Sequence, residues 1–258
     1  MVKGLYAAYS GMINEQNRMD VLTNNLANAS TTGFKKEGAT SQAFKDVLAY
    51  KIKDTTDYPH LAKNIGNLNL GVKIGENYTD YSQGAFRATE NTYDLALSGN
   101  GFFMVEFADK NGETSVKYTR DGSFTLDRSG YLVTKDGDYV LDPRGRHIRL
   151  NPNLDASVDT SGVIQQNGVN VATIGVTDFA DYNYLEHYGE NYYQPVDGAR
   201  RIAADATIRS GYLEASNVQV VSEMVEMISV SRQYESNQKL IQTIDSTLDI
   251  ASNRLGKV

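Results

Sequence analysis

The sequence predicts an α+β protein: long N- and C-terminal helices pairing as a coiled coil, with a central antiparallel β-rich domain. Three observations carry this expectation. Met227, Val230, Tyr234, Asn237, Ile241, Ile244, Leu248, Ala251 and Leu255 follow one another at alternating steps of three and four, and all but Asn237 are apolar or aromatic. A seam of that spacing is one face of a long helix that needs a partner. A second seam runs through Leu5, Ala8, Met12, Met19, Leu22 and Leu26, with Glu15 as its polar member. Between the two, turn residues take over: all four prolines and 17 of the 22 glycines lie between positions 46 and 215.

In chain order, residues 3–27 read as the first helix, Asn28 can cap its end, and Ser30-Thr31-Thr32-Gly33 is a turn. Ser41 is expected to cap a short helix carrying Ala43, Phe44, Val47 and Leu48. Residues 1–45 are thus one N-terminal segment. From 46 to 80 the apolar pattern fades into polar residues with Gly66, Gly71 and Gly75, which predicts an extended arm or linker.

The stretch 81–215 reads as the β-rich domain. Gly99-Asn100-Gly101 opens the run Phe102-Phe103-Met104-Val105. Asp121-Gly122, Ser129-Gly130, Asp136-Gly137 and Arg144-Gly145 then recur at intervals of 8, 7 and 8, separated by short alternating runs such as Phe124-Thr125-Leu126. That is the rhythm of an antiparallel meander, with Gly99, Gly101, Gly122, Gly130 and Gly137 at structural turns. Asn167-Gly168 predicts a hairpin joining Val163-Ile164 to Val169 and Val171. Residues 216–258 return to a helical pattern without proline, and Gly256 follows the last seam residue. At about 1.5 Å per residue this helix spans roughly 55 Å.

The chain has 258 residues, 40% of them hydrophobic and 22% charged, which suits a packed core rather than a disordered chain. The formal net charge is −7, the wrong sign for a general nucleic-acid or anionic-membrane binder. Residues 1–45 carry a net +2 and residues 216–258 a net −1, which leaves −8 on the middle. Cysteine is absent, so disulfides, thiolate zinc sites and cysteine nucleophiles are excluded. No apolar run reaches the ~18 residues of a membrane span. The start Met1-Val-Lys-Gly-Leu-Tyr-Ala-Ala is broken by Tyr9, Ser10 and Asn14-Glu15-Gln16-Asn17-Arg18, so no cleaved signal peptide is expected.

Little in the sequence points to catalysis, a cofactor or a metal. Gly99-x-Gly101 lacks the third glycine of a dinucleotide loop, where Met104 stands, and no helical pattern follows. His60, His147 and His187 are far apart, and neither a nucleophile elbow nor a two-histidine zinc motif occurs. Asp109-Lys110-Asn111-Gly112 begins like a calcium loop but reads better as a hairpin turn. Tyr182, Tyr184, Tyr188, Tyr192 and Tyr193 form a dense aromatic group; covering a sheet or a subunit contact is the simpler use, a sugar-binding platform the alternative. Asn24, Asn25 and Asn28 serve as helix-end caps, as polar pins of register, or as both.

Several runs resemble a known family. Asn24-Asn25-Leu26-Ala27-Asn28 followed by Thr32-Gly33-Phe34-Lys35 is similar to the N-terminal signature of the rod and hook family of bacterial flagellar axial proteins. Ser98-Gly99-Asn100-Gly101-Phe102-Phe103 resembles its G-x-G-F-F motif, and Tyr118-Thr119-Arg120-Asp121-Gly122-Ser123-Phe124 through Gly130-Tyr131-Leu132-Val133 its hairpin. Gly189-Glu190-Asn191-Tyr192-Tyr193 also fits, and Gly211 to Val218 resembles the entry into the C-terminal helix. The matches run in order along nearly the whole chain. The length is that of a basal-body rod protein, and the arm at 46–80 is most similar to the distal-rod type; proximal-rod and hook types are the alternatives within the family.

The resemblance implies a structural subunit, not an enzyme, which polymerises into the helical shaft that carries torque from motor to hook. It implies copies of itself and other rod and hook proteins as partners, and the flagellar type III apparatus as export route. No cofactor, small-molecule substrate, nucleic acid or membrane span is expected. The residues expected to pair helices and polymerise are Leu5, Met12, Met19, Leu22, Asn24, Asn25, Leu26 and Asn28, with Met227, Val230, Tyr234, Ile241, Ile244, Leu248 and Leu255. The two ends, roughly residues 1–45 and 216–258, are expected to stay mobile in a monomer and to order on assembly. From a different class, a secreted carbohydrate-binding or cell-wall-acting β module is the competing expectation; the two seams argue against it, because a self-contained module has no use for them.

Overall fold

The computed structural model describes residues 2–51, 63–109, 112–189 and 191–253. Pro59, His60, Lys110, Asn111, Glu190, Leu255 and Gly256, on which parts of the sequence reading fall, lie outside the described residues. The chain divides into two compact units. The first comprises Met1–Ala27, Glu37–Thr79 and Gln219–Val258; the second comprises Asn28–Lys36 and Asp80–Val218.

The first unit is built on two helices, α1 (Val2–Ala27) and α2 (Val220–Asn253). They lie against each other and run antiparallel. A Cβ added to Gly4 would touch Ile244 Cδ1 at 3.7 Å, and one added to Gly11 would reach the Asn237 amide at 3.1 Å. Further along, Arg18 Nη2 donates to Glu226 Oε1 at 3.1 Å, and Asn25 meets Glu223. Gly4, Ala8 and Gly11 therefore form a flat ridge, and small side chains there let the backbones come close.

The remaining part of the first unit is a long two-stranded hairpin. Glu37–Ala43 pairs antiparallel with Val72–Thr79, and Val47–Lys51 with Lys63–Leu68. The helix expected from Ser41 through Leu48 is therefore absent. Ser41, Gln42 and Ala43 ladder with Ile74, Lys73 and Val72 instead. A short apolar run is ambiguous between helix and strand, and a partner strand thirty residues away decides it. The stretch 46–80 carries the outer half of this hairpin together with its returning strand. An isolated hairpin is marginal in water, and this one is supported by α1. Asn14 Nδ2 donates to Ser41 Oγ at 2.9 Å, Val72 N donates to Ser10 Oγ at 3.3 Å, and at Gly71 (φ +128°) a Cβ would come within 2.1 Å of that hydroxyl.

The second unit is β-rich and antiparallel. Among the described residues its largest sheet has nine strands. At its centre, Phe102–Ala108 pairs with Thr114–Thr119, Tyr139–Val140 and Val176–Phe179. Alternation along that strand fills two cores: Phe103 and Val105 pack with Leu95, Leu97, Phe124 and Ile148, while Phe102 and Met104 pack with Tyr118, Phe179 and Tyr193. The topology is not the simple meander expected. Thr114–Thr119 takes Tyr192–Pro195 as its outer neighbour, a pairing across more than seventy residues that no local turn signal specifies.

The glycine rhythm has two physical origins. Gly130, Gly137 and Gly145 each donate to the carbonyl three residues back (Asp127, Thr134 and Asp142) and adopt φ of +83°, +96° and +76°. Such tight turns with a left-handed glycine at the exit need no side chain there. Gly122 differs, because its φ is not left-handed; a Cβ there would sit 1.7 Å from the Leu95 carbonyl oxygen, so strand approach, not turn geometry, demands glycine. Gly99 and Gly101 have φ of +113° and +142° on either side of the expected bend. The expected hairpin at Asn167-Gly168 forms, with both residues left-handed (φ 52° and 76°) between Val163–Gln166 and Val169–Thr173.

Candidate assembly surface

The side chains of the two helices distribute unevenly. Along α2, Val230 is fully buried, while Met227, Tyr234, Asn237, Ile241, Ile244, Leu248 and Ala251 are half-buried. Most positions between them are exposed, and only Glu223 and Val230 are buried in the whole helix. On α1, Leu22 is buried and Leu5, Met12, Met19 and Leu26 are half-buried. The single pairing of α1 with α2 thus covers each seam only in part.

The three asparagines separate into distinct uses. Asn25 is completely buried; its Nδ2 donates to the Glu37 carbonyl at 2.7 Å and to Glu223 Oε2 at 3.2 Å, and its Oδ1 accepts from Glu37 N at 2.9 Å. It joins α1, the root of the hairpin and α2 through one side chain. Asn24 is exposed and reaches Glu37 Oε2 at 3.5 Å. Asn28, in the second unit, accepts from the Thr31 hydroxyl at 3.2 Å and shapes the turn there. Glu15 is buried and held by Arg18 at 3.1 Å, and Arg18 also reaches Glu226 on α2.

Apolar groups on the first unit remain open on two faces. Tyr6, Tyr9 and Ile13 of α1, with Phe44, Leu70 and Ile74 of the hairpin, line a groove of about 580 Å³. On α2, Val221, Met224, Val225 and Ile228 are 76%, 48%, 64% and 55% exposed. At 100° per residue Val221, Val225 and Ile228 point away from the seam, so the first turns of α2 are apolar on opposite sides. A helix apolar all round belongs in an interior, and contiguous exposed apolar surface marks an interaction site.

The second unit contains a buried ionic clasp that pattern reading missed. Lys35 Nζ lies 2.5 Å from Glu214 Oε1 and donates to the Ser82 carbonyl at 2.8 Å. Glu214 Oε1 also accepts from Gly84 N at 2.9 Å, and Arg120 Nη1 stands 3.4 Å from Oε2. All three charged side chains are at most 3% exposed. Alongside, Gly33 N donates to the Glu214 carbonyl at 2.8 Å and Lys36 N to Asn217 Oδ1 at 2.7 Å. Burial pushes the Lys35 ammonium below the ordinary lysine range, and the adjacent Glu214 carboxylate opposes that shift. The clasp ties residues 33–36 to 214–217, so the chain enters and leaves this unit at one place. One signal for it was present in the sequence: Lys35 and Glu214 are each the single charged residue of the motif runs 32–35 and 211–218, and Arg120 is the single cation of the run 118–124.

The aromatic group serves the interior more than a platform. Tyr193 is 1% exposed and packs with Phe102 at 5.4 Å and Tyr81 at 5.5 Å; Tyr182 lies 4.8 Å from Tyr81, its hydroxyl donating to Asp178 at 2.7 Å. Tyr192 is 9% exposed and donates to Asp138 Oδ2 at 2.6 Å, and burial with that bond pushes its ionisation up. Tyr184 and Tyr188 stay exposed. His147 stacks on Tyr139 at 4.5 Å and contacts Glu106 at 3.1 Å, while His187 packs edge-on against Tyr193 at 5.4 Å. Among the described residues no group of three or more histidines and carboxylates has metal-binding geometry, and no helix is long and apolar enough to cross a membrane.

Three family models match the chain: the flagellar basal body rod protein at residues 5–35, the flagellar hook protein FlgE/F/G D1 domain at 96–169, and the flagellar basal body rod FlgEFG protein C-terminal at 209–254. The flagellar basal-body rod protein FlgG of Bacillus subtilis is 34% identical over 276 residues, covering 96% of this chain and 97% of that protein. FlgG of Buchnera aphidicola from Schizaphis graminum is 33% identical over 96% and 98%. The flagellar basal-body rod protein FlgF of Caulobacter vibrioides is 35% identical over the full length of both. The matched relatives thus carry both the FlgG and the FlgF name.

Proposed function

The chain belongs to the family of flagellar basal-body rod proteins, structural subunits of the basal body, and from that premise we propose that it polymerises through its terminal helices into the helical drive shaft. One observation carries the proposal: a 34-residue helix on which only Glu223 and Val230 are buried. At about 1.5 Å per residue that is about 51 Å of helix, and its first turns carry a second apolar face that is left open. Seam positions spaced for knobs-into-holes packing support coiled-coil pairing that is completed between subunits. Torque transmission suits the same arrangement, because parallel helices joined along their length resist shear better than a single contact between globular units.

Its partners on this reading are further copies of the chain and other rod and hook proteins, with delivery through the flagellar type III export apparatus and without a cleaved signal peptide. The length of the hairpin arm supports the distal-rod type. Catalysis, cofactor and nucleic acid have no place in this reading.

The test is assembly. Concentrated full-length protein is expected to form sedimentable tubes visible by electron microscopy, and Ile244→Asp is expected to abolish them. Protein that stays monomeric at every concentration, or Ile244→Asp tubes indistinguishable from the wild type, would sink the proposal.

A further inference from the structure

We propose that the second unit of one copy docks end to end on the second unit of another, the turn Asp142–Arg146 of one inserting Arg144 into a cavity that the other lines with Asp121, Asp136 and Asp138. The inference rests on the polymer reading above and names a contact outside the terminal helices.

One short strand carries both halves of the contact. Tyr139–Val140 leaves the tight turn Thr134–Asp138, which folds it back on Leu132–Val133, and enters the tight turn Asp142–Arg146, which closes the bridge of Leu141 with His147. The two turns therefore lie at opposite ends of the strand. About 13 Å of extended chain separates Asp138 from Asp142, which keeps Arg144 from filling the cavity of its own copy.

The cavity, at the first end, holds about 320 Å³. Its walls include the rings of Phe107, Tyr188 and Tyr192 and the carboxyl groups of Asp121, Asp136 and Asp138, against the single cation Lys135. Lys117 covers one face of Tyr188 at 3.9 Å. Among the described residues no cation pairs with any of the three carboxylates. Asp121 is held by the Thr32 and Ser123 hydroxyls, each at 2.7 Å. Asp138 is only 9% exposed; its Oδ2 accepts from the Tyr192 hydroxyl at 2.6 Å, and its Oδ1 has no partner among the described residues. A buried carboxylate satisfied on one oxygen calls for a charge-assisted donor on the other. Aromatic walls around it suit the methylene stem of an arginine.

The turn at the second end presents such a group. Asp142 Oδ1 accepts from Arg144 N and Arg146 N, both at 2.8 Å, and its Oδ2 takes the Arg146 guanidinium at 2.7 and 2.9 Å. The backbone is thereby fixed and the Arg146 charge is met. Arg144 stands exposed on the tip and bonds to no other described residue. A rigid convex turn with an open guanidinium thus faces one way along the strand, and a concave acidic cavity faces the other. Contacts between unlike patches are heterologous and repeat without end unless they close. Repetition here displaces each copy along the strand without inverting it, so every subunit keeps one direction.

The test uses the full chain at assembling concentration. Arg144→Asp and Asp136→Arg are exposed turn variants whose melts should match the wild type. Each is expected to reduce sedimentable material about tenfold. Combining them in one chain is expected to restore it. The chain has no cysteine, so Pro143→Cys with Lys135→Cys places one thiol beside the inserted turn and one beside the cavity. A short bismaleimide is expected to join these into a ladder of covalent oligomers. Arg144→Asp protein that sediments like the wild type, a double variant no better than the singles, a covalent product that stops at the dimer, or one that forms within a single chain would each overturn the contact. Those outcomes leave the rod-subunit reading standing, whereas wild-type protein that never assembles would remove the reading itself. In that case the absence of the ladder at high concentration overturns the contact as well.

Discussion

The two units differ in how completely they bury what they could bury. In the second unit, Leu97, Phe102, Phe103, Val105, Tyr118, Phe124, Leu132 and Val140 have essentially no exposure. In the first, α2 has Val230 alone among its apolar residues in that state. One unit has met its own packing requirement and the other has not. On the polymer reading proposed above, incomplete packing in a long, proline-free helix is a reserve of apolar surface for other chains. The same sequence therefore encodes a finished domain and an unfinished one, and they should respond to mutation in opposite ways.

The sharpest break in that comparison comes from one substitution in each unit. Phe103→Ala in the β core is expected to cost about 3–5 kcal/mol of stability through the cavity it leaves, read by a denaturant melt followed with near-UV tyrosine signal. Ile244→Asp, at a half-buried seam position, should leave that melt within about 0.5 kcal/mol while sedimentable assembly disappears. If both substitutions shift the melt equally, the division between finished and unfinished units fails.

The clasp tests whether the second unit owes its completeness to apolar packing alone. Glu214→Ala would strand the Lys35 and Arg120 cations in the interior and is expected to cost about 3–5 kcal/mol. Lys35→Met and Arg120→Met combined with Glu214→Leu should recover most of that loss, since a buried ionic group gains little over well-packed apolar residues. A triple variant no better than Glu214→Ala would mean that the charges, rather than their mutual neutralisation, hold the roots together.

Turn glycines give smaller and graded effects. Gly137→Ala meets no atom within 4 Å and faces only the left-handed backbone, so about 1 kcal/mol is expected. Gly122→Ala must displace the Leu95 carbonyl and should cost clearly more, although its backbone angle suits alanine. Equal losses at the two sites, measured by thermal melts, would contradict the assignment of different roles.

The smallest effect expected is on acid stability. Burial tends to raise the Asp142 carboxyl, but hydrogen bonds from the Arg146 backbone and guanidinium and from Arg144 N outweigh it and hold it below its ordinary value of 3.8. A depressed carboxyl stabilises the fold above its unfolded value, and that contribution disappears as pH falls through the folded one. The second unit should therefore weaken below about pH 4, and Asp142→Asn should flatten that part of the profile. An unchanged acid limb would show that the ring of donors around Asp142 contributes nothing.

What the sequence made legible was whatever repeats locally. Steps of three and four from Met227 to Ala251 marked α2, those from Leu5 to Leu26 marked α1, and the glycines at 130, 137 and 145 marked turns. Pairings fixed by distant segments were not legible. Ser41 and Ala43 looked helical because nothing nearby revealed Val72–Thr79 as their partner strand, and Gly122 looked like a turn because Leu95 is far away in sequence. Gly4 and Gly11 stand one heptad apart, a spacing that could have announced the close approach of the helices. The groove and the outward α2 face escaped notice because apolar residues off the main seam read as noise until a structure shows them uncovered.

The clasp also governs when the second unit can be finished. Lys35 and Glu214 are 179 residues apart in a chain of 258, so their contact closes a loop of more than two thirds of the chain, and contacts of such high order form slowly and late. A chain delivered from its N-terminus can fold the turns at 130, 137 and 145 as they appear. It cannot seat Lys35 until Glu214 has followed. Until then the Lys35 cation has no carboxylate beside it. Glu214 thus acts as a time lock: the second unit closes only when the strand that carries it has arrived.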